Sequence, residues 1–212
     1  MQKLKVLIDK CQKSDSSFIL VIIRHLRYKV SGKNILANNK AIIKGVANIH
    51  TNGLLQVGID YVGFMHKHDR TYLNINGSLL FQGSYSIGKG CRFDIGNGAV
   101  AKFGKGYVNS NTNFIIMHGI TIGDGCAISW GCEFLDEDFH DINYRGKKEK
   151  APSIEIGNHV WIGSNVTVLK GSRIPDGCVI ASGSVVCSVF ERTNCLLAGN
   201  PAKVIKENVE WK

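Results

Sequence analysis

The sequence has little proline and no long hydrophobic run. Its 212 residues include 3 prolines against 24 glycines, a balance that favours many tight turns over irregular coil. The apolar run at residues 18–23 is followed at once by Arg24, so it is too short for a signal core or a membrane span. Because the hydrophobic content of 44% is ordinary for a globular protein, we expect a single domain, residues 1–212, with one substantial core.

Paired cysteines and a phosphate-binding loop are also missing. The 7 cysteines are an odd number, and none forms a C-x-x-C pair. Without a secretion signal, this pattern predicts reduced thiols in a cytoplasmic protein. The sequence contains no G-x-x-x-x-G-K-[ST] motif, so nucleotide hydrolysis is not indicated.

Acidic residues are scarce in the first quarter of the chain. Residues 1–50 hold ten lysines and arginines against Asp9 and Asp15, a balance of +8, whereas residues 51–212 are nearly neutral. A solvated face that keeps the protein in solution is the plainer interpretation. Attraction of an anionic or lipid-linked acceptor, or peripheral contact with the inner face of an anionic membrane, is the sharper one. Nucleic acid is not expected as a partner.

A short amphipathic helix is expected within this basic segment. The apolar residues 18–23 continue through Leu26 and Val30, with Arg24, Arg27 and Lys29 on the polar side. Packing against another subunit is the plainer use of such a helix, and docking on an anionic bilayer is the sharper one.

A six-residue repeat dominates the rest of the chain. After residue 152, aliphatic residues fall six positions apart without a slip, at Ile156, Ile162, Val168, Ile174, Ile180 and Val186. Small or β-branched residues follow four positions after the first five, namely Val160, Val166, Ser172, Cys178 and Ser184. The same spacing relates Ile116, Ile122, Ile128 and Phe134, and a looser period of eight relates Ile87, Ile95 and Phe103.

A period of six fits neither an amphipathic helix nor a simple alternating strand. It fits a short strand and a tight turn, repeated, with the aliphatic residue always inside. The glycine that often follows this residue is expected to allow a turn that a Cβ would strain. Stacked coils then lie about 4.8 Å apart, and each buries the last. The pattern predicts a solenoid in which Cys126, Cys132 and Cys178 fill the core rather than act as ligands or nucleophiles.

Two stretches carry a resemblance to a known family. "IGNHVWIGSNVTVLKGSRIPDGCVIASGSVV" and the later "LAGNPAKVIKE" resemble the hexapeptide-repeat acyltransferases, in particular the branch of sugar and polysaccharide O-acetyltransferases. The close resemblance covers roughly residues 115–207. It implies an all-β fold, a left-handed parallel β-helix with three hexads per coil, which assembles as a homotrimer with active sites between neighbouring subunits. It also implies acetyl-CoA as the co-substrate and a saccharide as the acceptor, without a metal.

On this basis the single domain is expected to have three parts. A basic segment with a short helix occupies residues 1–50, the coils occupy residues 51–190, and a C-terminal tail occupies residues 191–212. A loop over residues 135–152 is expected to protrude from the coils, because the repeat is interrupted there by a polar, highly charged stretch.

The interruption is the first candidate site. From Phe134 to Ile156 is 22 residues, four more than three hexads, so the chain is expected to leave the solenoid and return in a new phase. Loops that depart from a rigid scaffold often carry function. This one holds His140, and the resemblance implies that His140 is the catalytic histidine. A neutral imidazole can take the proton of a sugar hydroxyl as it attacks a thioester. Four acids surround it, and the sequence leaves open which one orients the imidazole: Asp136, Glu137, Asp138 or Asp141.

Trp161 is the second candidate. Its neighbours Val160 and Ile162 take inward positions, so alternation along the strand directs Trp161 outward. The resemblance places this tryptophan in the groove between subunits, against the thioester arm and the acceptor. It also implies a backbone N–H near Gly163 and Ser164 that stabilises the developing charge on the thioester oxygen.

The resemblance extends the donor site towards the C-terminus. The pantetheine arm is expected to pass Ser164 and Ser182, and the phosphates of coenzyme A to meet Lys203 and Lys206. The family often has Thr-Lys after the last "VV", where this chain has Cys187 and Ser188. One basic phosphate contact is therefore absent from the expected set.

The other histidines are weaker candidates. His118 and His159 fall at turn positions inside hexads, and we interpret both as structural residues or acceptor contacts. His66 and His68, in "FMHKHDR", are spaced so that they could share a strand face and bind a metal. A loop contact to the acceptor, or a solvated loop, is the plainer interpretation of this pair.

Three alternatives to sugar O-acetylation remain open. The nearest is N-acetylation of an amino group on a nucleotide-linked sugar. A metal-dependent lyase similar to the gamma carbonic anhydrases would need three histidines, two of them spaced HxxxxH, and His118, His140 and His159 do not have that spacing. A non-enzymatic β-helical scaffold would explain neither the His140 loop nor the paired C-terminal lysines.

Overall fold

The computed structural model describes residues 2–60, 63, 65–66, 68–140, 145 and 152–212. Two N-terminal helices, α1 (Gln2–Lys13) and α2 (Phe18–Val30), precede a long series of short strands. In chain order the strands are β1 (Ile35–Ala37), β2 (Ile42–Lys44), β3 (Ile49–Thr51), β4 (Leu55–Val57), β5 (Tyr72–Ile75), β6 (Ser78–Phe81), β7 (Tyr85–Ile87), β8 (Arg92–Ile95), β9 (Val100–Phe103), β10 (Gly106–Val108), β11 (Asn113–Ile116), β12 (Gly119–Ile122), β13 (Cys126–Ile128), β14 (Glu133–Leu135), β15 (Ile154–Ile156), β16 (Trp161–Ile162), β17 (Thr167–Leu169), β18 (Arg173–Ile174), β19 (Val179–Ile180), β20 (Val185–Val186), β21 (Leu196–Gly199) and β22 (Ala202–Lys206).

Consecutive strands join three different sheets in turn, so the chain winds around a common core. Sheet A has the order β1-β4-β7-β10-β13-β16-β19-β21-β22, sheet B the order β2-β5-β8-β11-β14-β17-β20, and sheet C the order β3-β6-β9-β12-β15-β18. Neighbours within each sheet run parallel, except that β21 and β22 form an antiparallel pair. The three sheets are the faces of a parallel β-helix, and the turns between them form its three corners.

The coil length is regular in the C-terminal half and longer in the N-terminal half. Ile156 pairs with Ile174 and Ile162 with Ile180, so one turn there takes 18 residues, or three hexads, as predicted. Earlier in the chain, Ile87 pairs with Val108 and takes 21 residues per turn. The extra residues lie in the corners, which explains why the sequence period loosens upstream.

The inward positions are filled as the repeat predicts. Every aliphatic residue of the downstream series is buried, and Cys126, Cys132 and Cys178 are buried beside them. In the longer coils the inward positions carry aromatic rings: Phe114 stacks on Phe134 with ring centroids 4.3 Å apart. Each fully buried side chain of this size contributes about 1.5–3 kcal/mol to folding, so stacking coil on coil supplies the stability of the solenoid.

The glycine that follows the inward residue has a different role from the predicted one. Gly123 and Gly163 lie outside the left-handed region of the backbone, but a Cβ on either would meet the next coil. At Gly163 it would lie 2.7 Å from the Ile180 carbonyl oxygen. The left-handed glycines come two residues later in the corner, as at Gly125 with φ of 70°. The first glycine is therefore required by close packing of coils, and the second by the turn.

The N-terminal boundaries also differ from the prediction. The first strand, β1, already begins at Ile35 and pairs with β4, so the coils start well before residue 51. Two helices occupy the segment where one was expected. The reason is that the strand pattern at residues 35–57 is too short and too polar to show the six-residue period.

Most of the basic residues in this segment are engaged within the chain. Arg24 does not lie on a solvated polar face as predicted: its guanidinium donates to the carbonyl oxygens of Asn38 and Ala41 at 2.9 and 2.8 Å. Several lysines are also held, through Lys10–Asp60, Lys13–Asp9, Lys40–Asp15 and hydrogen bonds from Lys33 to backbone carbonyls. Arg27 and Lys29 are exposed. The charge therefore ties the helices to the first coils more than it forms a free basic face.

Within the described part of the chain, neither helix combines the length and hydrophobicity that a membrane crossing requires.

The interruption of the repeat is confined to one corner. The chain leaves sheet B after β14 and re-enters at β15, the next strand of sheet C. Ile120 pairs with Ile154 and Ile122 with Ile156, so the coil resumes in register rather than in the new phase that was predicted. The extra residues, 136–153, are here called the excursion; residues 141–144 and 146–151 lie outside the described residues.

Candidate active site

The outward residues of sheet A form a straight row across the strands, here called the outer column. The pairing register places its members side by side in the order Tyr107, Ala127, Trp161, Val179, Leu196 and Lys206. Their strand neighbours Ile128, Ile162, Ile180 and Leu197 are fully buried, so alternation directs the outer column away from the core. The column is therefore a track that runs parallel to the solenoid axis.

Trp161 lies at the centre of the outer column. Its side chain is 42% exposed, which confirms the predicted outward orientation. The indole Nε1 donates weakly to Ser129 Oγ at 3.4 Å, so one edge is anchored and one face is open. An exposed indole held in this way offers a flat apolar surface to a ligand.

The two backbone N–H groups predicted near Trp161 are not equivalent. The Gly163 N–H donates to the Ile180 carbonyl at 2.8 Å and is committed to the ladder between coils, so it is not free to stabilise a reacting oxygen. The Ser164 N–H instead donates to the hydroxyl of Ser182 at 3.2 Å, and the two serine hydroxyls are 3.1 Å apart. Ser182 is exposed, and its hydroxyl can turn away. The Ser164 N–H is therefore the donor that a ligand can recruit.

Lys203 and Lys206 lie on the same face of β22. Residues three apart on a regular strand point to opposite faces, but the register between β21 and β22 shifts at Leu196/Leu197. Lys203 lies opposite Ala198, and Lys206 lies opposite Leu196. Since Ala198 and Leu196 are two apart on β21, both lysines share their outward face. The bulge thus brings the two predicted phosphate contacts together.

His140 lies at the corner between sheets B and C, and it is exposed. The first of the acids around it, Asp136, is fully buried. Its carboxylate accepts hydrogen bonds from the backbone N–H groups of Met117 at 2.6 Å, Gly119 at 2.7 Å and His118 at 2.9 Å. Asp136 therefore fixes the turn below the excursion and has no capacity left to orient His140.

The next two acids are also engaged elsewhere. Glu137 pairs with His118 Nε2 at 2.7 Å, and this hydrogen bond lowers the pKa of the Glu137 carboxyl below its ordinary value. Asp138 pairs with Lys170 at 2.7 Å. Among the described residues, none of these acids contacts His140; the fourth candidate, Asp141, lies outside them.

The candidates fall on opposite sides of one chain. The corner that carries His140 joins sheets B and C, whereas Trp161, Ser164, Ser182 and the two lysines belong to sheet A or to its edges. Between the excursion and Trp161 the chain passes only β15, so the two lie within about 4.8 Å of each other along the axis. A single subunit thus presents the two halves of the site at one height but facing apart.

The remaining histidines divide between the loops and the C-terminus. The rings of His66 and His68 lie 5.0 Å apart, but the described residues contain no group of three or more His, Cys, Asp and Glu side chains placed to hold a metal ion. His159 stacks on Trp211, with ring centroids 4.1 Å apart and planes 7° from parallel. Trp211 was not identified from the sequence, where it is a single tryptophan in a short polar tail.

Comparisons with known proteins agree with the fold and the repeat. A family model described as bacterial transferase hexapeptide (six repeats) matches residues 153–188. Over 215 residues the chain is 40% identical to an uncharacterized 24.8 kDa protein in the cps region of Klebsiella pneumoniae, covering 100% of this chain and 97% of that one. Over 58 residues it is 43% identical to the "Putative lipopolysaccharide biosynthesis O-acetyl transferase WbbJ" of Escherichia coli (strain K12), covering 27% of this chain and 29% of WbbJ.

A solved structure shows the same architecture. A point mutant of AntD, an N-acyltransferase from Bacillus cereus in complex with dTDP and coenzyme A, superposes with a TM-score of 0.57 at 13% identity, covering 88% of this chain and 89% of that chain. The predicted left-handed parallel β-helix is confirmed. The chain belongs to the hexapeptide-repeat acyltransferase family, as an acetyltransferase.

Proposed function

We propose that this protein transfers the acetyl group of acetyl-CoA to a hydroxyl of a saccharide, in a site formed between two subunits of a homotrimer. The observation that carries the proposal is the placement of His140 and Trp161 at one height on opposite sides of the chain. Closed rings of identical subunits bring unlike surfaces of neighbours together. A threefold axis parallel to the solenoid would set the His140 corner of one subunit against the outer column of the next.

The outer column has the chemistry that the donor requires. Trp161 and Lys206 belong to the same row and are three strand spacings apart, about 14 Å. Between them the row is apolar, with Val179 and Leu196. A pantetheine arm can lie along this track past Ser164 and Ser182 while the phosphates reach Lys203 and Lys206, whose compact charges suit them.

His140 supplies the base. Its exposed imidazole takes the proton from the acceptor hydroxyl as the oxygen attacks the thioester carbonyl. The carbonyl oxygen gains negative charge, which the Ser164 N–H stabilises. When the intermediate collapses, the carbon–sulfur bond breaks and the imidazolium returns the proton to the sulfur, giving the acetyl ester and coenzyme A. No covalent enzyme intermediate and no metal is needed.

The acceptor is a saccharide because the sequence relatives that carry an activity name in their titles include an O-acetyl transferase of lipopolysaccharide biosynthesis. Acetyl-CoA is the donor of choice for a cytoplasmic enzyme, and membrane contact is at most peripheral. An anionic or lipid-linked acceptor remains compatible with the exposed Arg27 and Lys29. N-acetylation of an amino sugar on a nucleotide is the second candidate, and the product distinguishes the two: an ester is cleaved by mild alkali, and an amide is not.

The test of the acceptor is a screen of acetyl-CoA turnover against sugars, nucleotide sugars and oligosaccharides, with the acetylated position determined for each product. Turnover with an alkali-labile product supports the proposal. Turnover only with amino sugars would replace it by N-acetylation. Failure to bind coenzyme A at all would favour a scaffold.

The shared site has its own test. His140→Ala and Trp161→Ala subunits, each inactive or nearly so, are unfolded together and reassembled in equal amounts. If one subunit supplies His140 and its neighbour supplies Trp161, about one quarter of the sites regain both residues. Mixed trimers that stay as inactive as the separate variants would place both residues in one chain and contradict the arrangement.

A further inference from the structure

The last six residues fold back onto the solenoid instead of leaving it. Residues 207–212, here called the C-terminal strap, turn at Asn208, which has a left-handed backbone with φ of 55°. The Val209 N–H then donates to the Asn194 carbonyl at 2.8 Å, and Trp211 reaches His159. Asn194 precedes β21 and His159 precedes β16. The strap therefore runs along the corner between sheets C and A, against the direction in which the coils advance.

Trp211 is fixed at the end of the strap by three contacts with one residue. Its ring stacks on His159, and its Nε1 donates to the His159 carbonyl at 2.9 Å. The His159 Nε2 lies 3.2 Å from the Trp211 carbonyl oxygen. Stacking and two hydrogen bonds hold the indole in one orientation, which is more than a tail needs merely to remain attached.

This orientation places Trp211 beside the outer column. Its ring centroid is 6.1 Å from that of Trp161, and the two planes are inclined at 45°. The strap ends at the same strand, β16, at which the apolar track from Lys206 ends. A depression remains open between the strap and the corner, lined by His159, Gly177, Asn194, Val209, Glu210 and Trp211. The strap is thus a side wall of the track, and the two tryptophans form an angular aromatic corner at its reactive end.

We propose that the C-terminal strap is part of the acyl-donor site, and that Trp211 and Trp161 together contact the acyl end of the donor and limit its length. The inference rests on the proposed function, since it assumes an acyl-CoA on the outer column. A small acyl group fits into the angle between two fixed rings, whereas a longer chain must displace one of them. The strap thereby makes the donor site selective for acetyl among acyl thioesters.

The test compares donors of increasing acyl length in the full-length enzyme. Trp211→Ala should raise kcat/KM for propionyl-CoA and butyryl-CoA, relative to acetyl-CoA, by about tenfold, since one methylene in an apolar pocket is worth about 1–3 kcal/mol. It should also weaken acetyl-CoA binding, measured by calorimetry, more than binding of free coenzyme A. Trp211→Phe keeps a ring against His159 and should retain the wild-type preference.

A matched control and three outcomes decide the matter. Trp130, at the corner between sheets A and B, is also 42% exposed, and Trp130→Ala should leave the preference among donors unchanged. A Trp211→Ala enzyme that loses activity equally with all donors, and affinity equally for acetyl-CoA and coenzyme A, would reduce the strap to a structural role. The same preference as the wild type would overturn the inference alone. A wild-type enzyme inactive with every acyl-CoA would overturn the proposed function as well.

Discussion

The outer column of sheet A and the corner between sheets B and C hold their residues in different ways. On the column, each side chain is placed by the register of its strand, and buried neighbours such as Ile162 and Ile180 fix the register. At the corner, the side chains are placed by individual polar contacts, of which Asp136 makes three with backbone N–H groups. The comparison shows that the solenoid supplies a rigid donor track, while the base is carried by an element with its own local support.

The largest effect is expected at the corner, from His140→Ala. Turnover should fall by about 10²–10⁴-fold, because general-base catalysis is lost while the column stays intact. Coenzyme A affinity, measured by calorimetry, should be unchanged. His118→Ala is the matched control: His118 pairs with Glu137 and should cost far less. Near-normal turnover in His140→Ala, or an equal loss in both variants, would remove His140 from its assigned role.

The second prediction concerns the support of the corner, through Asp136→Asn. An amide cannot accept all three backbone hydrogen bonds, and its NH₂ group would face a backbone N–H. The variant should lose about 1–3 kcal/mol of unfolding free energy, measured by denaturant titration, and turnover should fall without a change in coenzyme A affinity. Asp138→Asn is the control, since its partner Lys170 is a solvent-accessible side chain. Equal stability of the two variants would show that Asp136 is not the anchor of the excursion.

A smaller effect is expected on the column, from Lys203→Ala and Lys206→Ala. Loss of one charged contact to phosphate should weaken coenzyme A about tenfold. Dephospho-coenzyme A should be affected less if the lysines meet the 3′-phosphate, and turnover at saturating donor should not change. Equal losses for the two ligands would place the lysines elsewhere on the coenzyme.

The smallest effect is expected outside both regions, at the exposed basic residues of α2. Replacing Arg27 and Lys29 by glutamine should raise the acceptor KM a few-fold at low salt and have little effect near 0.15 M, where the Debye length is about 8 Å. Turnover at saturating acceptor should stay the same. Arg24→Gln should instead lower the melting temperature, because it breaks hydrogen bonds to Asn38 and Ala41. An acceptor KM that does not depend on salt in the wild type would assign this charge to solubility alone.

The sequence predicts the column far better than it predicts the corner. The outward orientation of Trp161 follows from the alternation of a six-residue repeat, which is a local property of the chain. The common face of Lys203 and Lys206 depends on a bulge set by pairing with β21, so spacing alone could not establish it. The role of Asp136 and the position of Trp211 depend on contacts between distant residues, as with His159 and Trp211, which are 52 positions apart. Such contacts leave no period in the sequence.

The filling of the core by cysteine has a practical consequence for measuring the reaction. Burial raises the pKa of the Cys91 thiol to about 12, and the pKa values of Cys126 and Cys132 to about 11. Since the thiolate is the reactive form, these side chains remain unreactive towards disulfide reagents while the fold is intact. Of the seven, Cys187 is the one that is incompletely buried. A colorimetric thiol reagent added during turnover should therefore record the coenzyme released and almost nothing of the enzyme, with Cys187→Ser removing the remaining background.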